Sequence, residues 1–155
     1  MVLRAGEVCE SLYFVDSGCL RIYFINKEGH EKTKQVFLEH NLGTALTSFI
    51  SQQPSVEFID AQENTELLAI THKDFYKLLA EIPEWEVVYR KILETAYLHQ
   101  SRKVEALMTL NAKQRYLKLL KGNPTLIQRL SNRVLASFLD MREETLSRIK
   151  SEIRF

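Results

Sequence analysis

A change of hydrophobic period near residue 71 constrains the fold of this chain more than any other feature of its sequence. Before that point, short runs of aromatic and β-branched residues alternate with polar turns, which is the pattern of a sheet. After it every periodic stretch is helical, and no proline or glycine occurs from Glu84 to Lys121. A chain of 155 residues divided in this way makes one compact domain, or two small ones sharing an element. Hydrophobic residues make up 45% and charged residues 26%, which excludes disordered and fibrous classes. No apolar run approaches the roughly 18 residues of a membrane span, so no membrane partner is expected.

The expected strands are Leu12 to Val15, Leu20 to Ile25, Thr33 to Leu38, Val56 to Ala61 and Glu66 to Thr71. Asp16-Ser17-Gly18 reads as the tight turn of a hairpin between the first two. Asn26 to His30 reads as the next turn, with Gly29 free to take a positive φ. The stretch Asn41 to Pro54 is rich in small residues and suits a short helix and a loop. Strands at this spacing, without long helices between them, predict a small antiparallel roll or sandwich.

Thr71 or His72 precedes a short helix through Phe75, Leu78 and Leu79. Pro83 then opens a long helix that runs to about Thr109, since proline is favoured in a first turn. Asn111 and Gln114 form a capping box for the next helix, which Gly122 and Pro124 end. Trp85, Val88, Ile92, Thr95 and His99 share one stripe of the long helix. That stripe fits packing on the chain's own sheet and a dimer seam equally well.

The formal net charge of +1 hides a polarised chain. Residues 1–100 carry nine Lys/Arg against fifteen Asp/Glu, and residues 101–155 carry twelve against five. A basic end of this kind points to a polyanion, with double-stranded DNA the leading partner.

The segment Leu130 to Ile149 carries the function. With Asn132 as the first position of a helix-turn-helix, Leu135, Leu139, Met141, Leu146 and Ile149 fall at its five apolar positions. Ala136 falls where the two helices cross closely. Asp140 falls in the turn, where a left-handed conformation is needed and Asp is tolerated better than most residues. Ser131 can cap the first helix. With the apolar side buried, Arg142, Glu143, Glu144, Ser147 and Arg148 lie on the outer face, the one that a major groove admits. Arginine can bond a guanine edge with two donors, and glutamate can accept from a cytosine amino group. Arg129, Arg133, Lys150 and Arg154 are placed to meet phosphates, which fix position without reading sequence.

Other chemistries find little support. Cys9 and Cys19 are too few for an iron–sulfur cluster or a four-ligand zinc site, and their free thiols suit a cytoplasmic protein. They flank the expected hairpin and could approach each other, although two small buried thiols are the simpler reading. The four histidines show no ligand spacing. No nucleophile–base pair, phosphate loop or paired-carboxylate motif is present, so neither a cofactor nor catalysis is expected.

Taken together, Arg4-Ala-Gly-Glu, Ser11-Leu-Tyr-Phe, Ser17-Gly18, the helix from Pro83 and Glu144-Thr-Leu-Ser-Arg148 resemble the Crp/Fnr family of transcription regulators. The resemblance covers nearly the whole chain. It implies an α+β chain: a jelly-roll-like antiparallel β-roll sensor domain over 1–81, shortened at its start, a long dimerisation helix over 82–110 and a helix-turn-helix over 111–155. It also implies a homodimer and a small-molecule effector of unknown identity. Glu144 and Arg148 occupy base-reading positions of the family, and Glu143 stands where many members have a further arginine. Ser131 and Asn132 fall where the family commonly contacts phosphate. A competing reading is a sensor or protein-interaction module whose helix-turn-helix no longer reads DNA.

The family's cyclic-nucleotide binders hold the ribose and phosphate with a Gly-Glu pair and an Arg-Ser pair. The corresponding effector-pocket candidates here are Gly43, Thr44, Ser55 and Val56. A threonine replaces the glutamate, and no arginine occurs between Arg21 and Arg90. The expected outcome is no saturable binding of cyclic AMP by calorimetry at micromolar concentrations; a saturable micromolar isotherm would contradict this reading.

Overall fold

The computed structural model describes residues 1–153; Arg154, grouped above with the phosphate contacts, lies outside the described residues. The strands are β1 (Ser11–Ser17), β2 (Leu20–Ile25), β3 (Glu31–Phe37), β4 (Leu42–Gly43), β5 (Phe58–Ala61) and β6 (Glu66–Thr71). They form two antiparallel sheets, in the orders β4-β1-β6 and β3-β2-β5. The expected strands all form, and β4 is an addition of two residues inside the stretch read as helix and loop.

The expected hairpin between β1 and β2 does not exist. The two strands lie in different sheets, and Asp16 to Gly18 carries the chain from one to the other. Gly18 has φ +93°, and a Cβ there would sit 2.4 Å from Thr65 Oγ1 and 2.5 Å from the Asn64 carbonyl. Both conformation and space therefore demand glycine at this crossing. In consequence Cys9 and Cys19 are separated: both are buried and free, Cys9 in the core of the roll and Cys19 in a second core. The turn at Asn26 to His30 does join a hairpin, β2 with β3, and Gly29 takes φ +79°.

The first core fills the roll with Leu12, Val15, Leu20, Ile22, Phe49, Ile59 and Phe75. Each such side chain, fully buried, contributes about 1.5–3 kcal/mol. Helices α1 (Leu46–Ser51) and α2 (His72–Glu81) close it, and the Asp74 N–H donates to Thr71 Oγ1 at 3.1 Å to cap the latter. The long helix α3 (Trp85–Thr109) follows, and none of its residues is fully buried. Trp85 and Ile92 of the expected stripe pack on the roll core together with Tyr89, whereas Val88, Thr95 and His99 are exposed. The stripe thus belongs to the roll at one end and to solvent at the other.

The remaining helices are α4 (Ala112–Gly122), α5 (Pro124–Arg129), α6 (Asn132–Phe138) and α7 (Glu143–Ile153). The capping box of Asn111 and Gln114 is present at α4. Helix α5 was not expected, because Pro124 reads as a terminator. It is instead the first residue of a new helix, and Asn123 caps it by accepting from the Leu126 N–H.

Strand β3 is an edge that pairs with β2 alone. Side chains from two helices complete its open side. The Thr33 N–H donates to Ser137 Oγ of α6 at 2.7 Å, and Ser137 donates its own proton to the Glu31 carbonyl at 3.0 Å. Since Ser137 has one proton, the Thr33 hydroxyl is the donor in its 2.9 Å contact with Ser137 Oγ. Lys103 Nζ of α3 donates to the carbonyls of Thr33 and Lys34 at 2.6 and 2.8 Å. Beyond these bonds Cys19, Val36 and Leu38 join the second core, shared with Tyr116, Leu126, Leu130, Leu135 and Leu146.

Ion pairs ring this junction. Arg129 donates to both oxygens of Glu39 at 2.7 and 2.8 Å, to the Gly18 carbonyl at 3.0 Å and to Glu63. Arg133 pairs with Glu31 at 3.1 Å and Lys32 with Asp140 at 2.6 Å. The hydrogen bonds from Arg129, with help from backbone N–H groups, pull the Glu39 carboxyl from 4.5 to about 2. A carboxyl lowered by folding stabilises fully above its ordinary pKa and loses that contribution as pH falls toward the folded value. Urea unfolding of wild type and Glu39→Gln should therefore differ by a constant amount above about pH 4.5, with the gap closing as pH falls toward 2. A gap independent of pH would contradict the pairing.

Candidate nucleic-acid interface

Helices α6 and α7 form the expected pair around a buried seam. Leu135 and Leu146 are fully buried, Leu139 and Ile149 nearly so, and Met141 is half-buried. Ala136, 1% exposed, occupies the crossing, where a larger side chain would push the helices apart. The Val134 N–H donates to Ser131 Oγ at 3.3 Å, so Ser131 caps α6. Asp140 has φ +52°, the left-handed conformation that the turn requires. The Met141 N–H donates to the Ala136 carbonyl at 3.0 Å and closes the turn.

Two supports of this pair are not visible in the sequence. Arg115 of α4 donates through Nε to the Leu139 carbonyl at 2.8 Å and through Nη2 to the Asp140 carbonyl at 3.1 Å. Its Nη1 holds the Leu110 carbonyl at 2.7 Å, so one guanidinium ties the turn to the start of α4. Lys113 of α4 pairs with Glu152 at 3.0 Å and steadies the far end of α7. No local pattern marks Arg115, because its three acceptors are backbone carbonyls, two of them more than twenty residues away.

The five residues expected to read bases are brought together. Arg142 stands just before α7, with its carbonyl accepting from the Leu146 N–H at 3.1 Å. Glu143, Glu144, Ser147 and Arg148 follow on one side of the helix, within an arc of about 140° at 3.6 residues per turn. All five are exposed. Among the described residues none of these five side chains has a hydrogen-bond or ion-pair partner. The expected phosphate contacts lie at the start of α6 and along α7. Ser131 is the cap, Asn132 accepts from Lys150 Nζ at 2.6 Å, and Arg133 is exposed beside Glu31. Arg129 is not on this face; it is held among roll carboxylates.

The effector-pocket candidates are not brought to one cavity. An open cavity of about 1300 Å³ lies between β3, the β4 region and α3, and of the four only Thr44 lines it. The Thr44 hydroxyl donates inward to the Ser11 carbonyl at 2.8 Å, beside Cys9 Sγ at 3.1 Å. Gly43 is buried against Phe37, and Val56 is 74% exposed. Ser55 is turned to the backbone of buried Glu57, whose carboxylate pairs with Lys34 at 2.5 Å.

The turn conformation gives a direct check on this construction. Asp140→Val, which puts a β-branched residue at positive φ, should lower stability by about 1–2 kcal/mol in urea unfolding, and Asp140→Gly should be tolerated. Equal loss in both variants would mean that the Lys32 pair, rather than the backbone, sets the requirement.

Comparison with known proteins places this geometry. The cyclic nucleotide-binding domain family matches residues 1–82. Among solved structures, the c-di-GMP responsive global regulator CLP of Xanthomonas campestris is similar at 20% identity and a TM-score of 0.77, covering 98% of this chain and 81% of that one. FixK2 of Bradyrhizobium japonicum is similar at 17% identity and a TM-score of 0.82, covering 96% and 78%. The sensor domain of the transcriptional regulator DNR of Pseudomonas aeruginosa is similar at 28% identity and a TM-score of 0.55, covering 64% and 66%. A search of curated protein sequences finds no match. No helix among the described residues is long and apolar enough to cross a membrane. With more than half its length matched and the roll, long helix and helix-turn-helix in the same order, this chain belongs to the cyclic nucleotide-binding domain family and carries the Crp/Fnr regulator fold.

Proposed function

We propose that this protein is a sequence-specific DNA-binding transcription regulator that works as a homodimer and has a sensor-like roll that does not take cyclic AMP. The observation that carries this reading is the outer face of Arg142 and α7, where five exposed polar side chains have no partner among the described residues and stand on a helix pair with a buried seam. Unpaired donors and acceptors on a fixed helix suit base edges, which supply the missing partners. Arg148 offers two donors to a guanine, and Glu144 offers an acceptor to a cytosine amino group. Ser131, Asn132, Arg133 and Lys150 supply the flanking phosphate contacts. The Arg133–Glu31 pair has to open for this, at small cost, because Arg133 is 68% exposed.

Dimerisation is assigned to α3. One position on from the edge that packs on the roll, Leu93, Tyr97, Gln100, Val104 and Leu107 follow a 4-3-4-3 spacing, the seam of a two-helix coil. Tyr97 is 72% exposed and Met108 beside the seam 80%, more apolar surface than a lone helix leaves to water by design. A two-fold pair of this kind sets two α7 helices about 34 Å apart, one turn of DNA. An effector between roll and long helix would shift the population of dimer states with different reader spacing. The inward hydroxyl of Thr44 and the absence of arginine from the cavity wall, among the described residues, disfavour a cyclic phosphate there.

Selection of bound sites from random duplex DNA should yield a two-fold symmetric sequence. On the selected site Arg148→Ala should weaken binding about tenfold to a hundredfold and relax the preference at one base pair per half-site. Absence of any selected sequence, or binding that Arg148→Ala leaves unchanged, would favour an interaction module that does not read DNA.

A further inference from the structure

A second, smaller cavity of about 260 Å³ lies where the roll, the long helix and the helix-turn-helix meet. Its apolar walls include Ala106 and Leu107 of α3, Leu119 of α4, and Phe138 and Leu139 from α6 and the turn. Five cationic residues surround these walls, Lys34, Arg102, Lys103, Arg115 and Lys118, and no aspartate or glutamate is among the lining residues. Among the described residues only Lys34 of these five forms an ion pair, with Glu57, while the Asp140 carboxylate acts on Lys103 from outside the lining. Lys103 and Arg115 bond nothing but carbonyl oxygens through their charged groups, and Lys103 also lies 4.8 Å from the centre of the Phe138 ring. Arg102 and Lys118 are exposed at the mouth, with no partner among the described residues.

An apolar hollow ringed by five cations, four of them without an ion pair among the described residues, is complementary to one class of molecule. We propose that this cavity binds a small organic anion with an apolar body, its carboxylate facing Lys103 and the Arg102–Lys118 mouth and its body lying against Ala106, Leu119 and Phe138. The volume suits a ligand of roughly ten non-hydrogen atoms at interior packing density. Burial lowers the Lys103 ammonium from 10.5 to about 8, so a facing anion would relieve a charge that the fold leaves poorly solvated. The site adjoins the larger cavity, sharing Lys34, Gln35, His99, Gln100 and Asn123 with it, and differs in the walls that α4, α6 and the turn supply, Arg115, Lys118, Leu119, Phe138 and Leu139. An occupant therefore bridges β3, α3 and the α4–α6 region and stabilises their docked arrangement by mass action.

The test is calorimetric titration of the full chain with octanoate and with uncharged octanamide, in wild type, Ala106→Phe and Lys118→Ala. Ala106→Phe fills the hollow from a half-buried helical position, and Lys118→Ala changes only an exposed side chain. Octanoate should bind wild type saturably at one site per chain and raise its Tm, octanamide should bind at least tenfold more weakly, and Ala106→Phe should abolish binding. Lys118→Ala should weaken octanoate severalfold. Equal affinity for acid and amide, binding unaffected by Ala106→Phe, or no saturation by 10 mM octanoate would each overturn the proposal. A Lys118→Ala variant that loses DNA affinity while binding octanoate normally would assign the mouth charges to phosphate instead and contradict their role here. Binding is read on the protein alone, so its failure is separate from any failure of the DNA-reading proposal.

Discussion

The open edge of β3 is the constraint on which the rest of this molecule depends. A strand that pairs on one side only exposes backbone groups that invite association with another chain. Here those groups are met by side chains instead, Ser137 from the first helix of the helix-turn-helix and Lys103 from the long helix. Residues 31–34 thereby become the point at which sheet, long helix and helix-turn-helix fix one another. Val36, further along β3, and Leu38 just beyond its end extend the contact into the apolar core of the helix-turn-helix. The surrounding ion pairs are partly exposed, and such pairs are worth about 1 kcal/mol or less. They set orientation, while buried apolar surface holds the assembly together.

This arrangement also bears on the charge polarity of the sequence. Part of the basic excess in residues 101–155 is met within the chain, since Arg129 and Arg133 face Glu39, Glu63 and Glu31. The polarity alone would therefore overstate the surface available to DNA. What stays unpaired among the described residues on the α7 face is Arg142 and Arg148, with Glu143 and Glu144 beside them. Two carboxylates at the start of a helix are favoured by its dipole, so their presence there has a local rationale independent of the proposed base contacts.

Local chemistry was legible in the sequence and long-range chemistry was not. Thr71, Asn111 and Ser131 cap their helices, and Asp140 takes its left-handed turn, because each depends on residues within four positions. The seam residues Leu135, Leu139, Leu146 and Ile149 were readable for the same reason. The supposed hairpin failed because turn residues report a change of direction and not the sheet in which the next strand lies. Pro124 was misjudged as a stop, since a proline that ends one helix can equally begin another. The stripe on α3 was divided, because a helical period gives spacing but not which neighbouring face meets the roll. Arg115, Ser137 and Lys103 were beyond sequence reasoning, as their partners are backbone atoms brought near only by the fold. In the effector region, the replacement of glutamate by Thr44 was readable, but its inward hydrogen bond to Ser11 was not.

Amide chemical-shift mapping on the isotope-labelled chain decides whether α7 makes the proposed contact with DNA. On addition of a selected duplex, the largest changes should fall at Arg142 to Arg148, with a second group at Ser131 and Asn132. The outer strands of the roll away from β3 should be unaffected. Changes confined to the roll or to the exposed face of α3, with α7 silent, would rule out α7 as the surface that meets DNA.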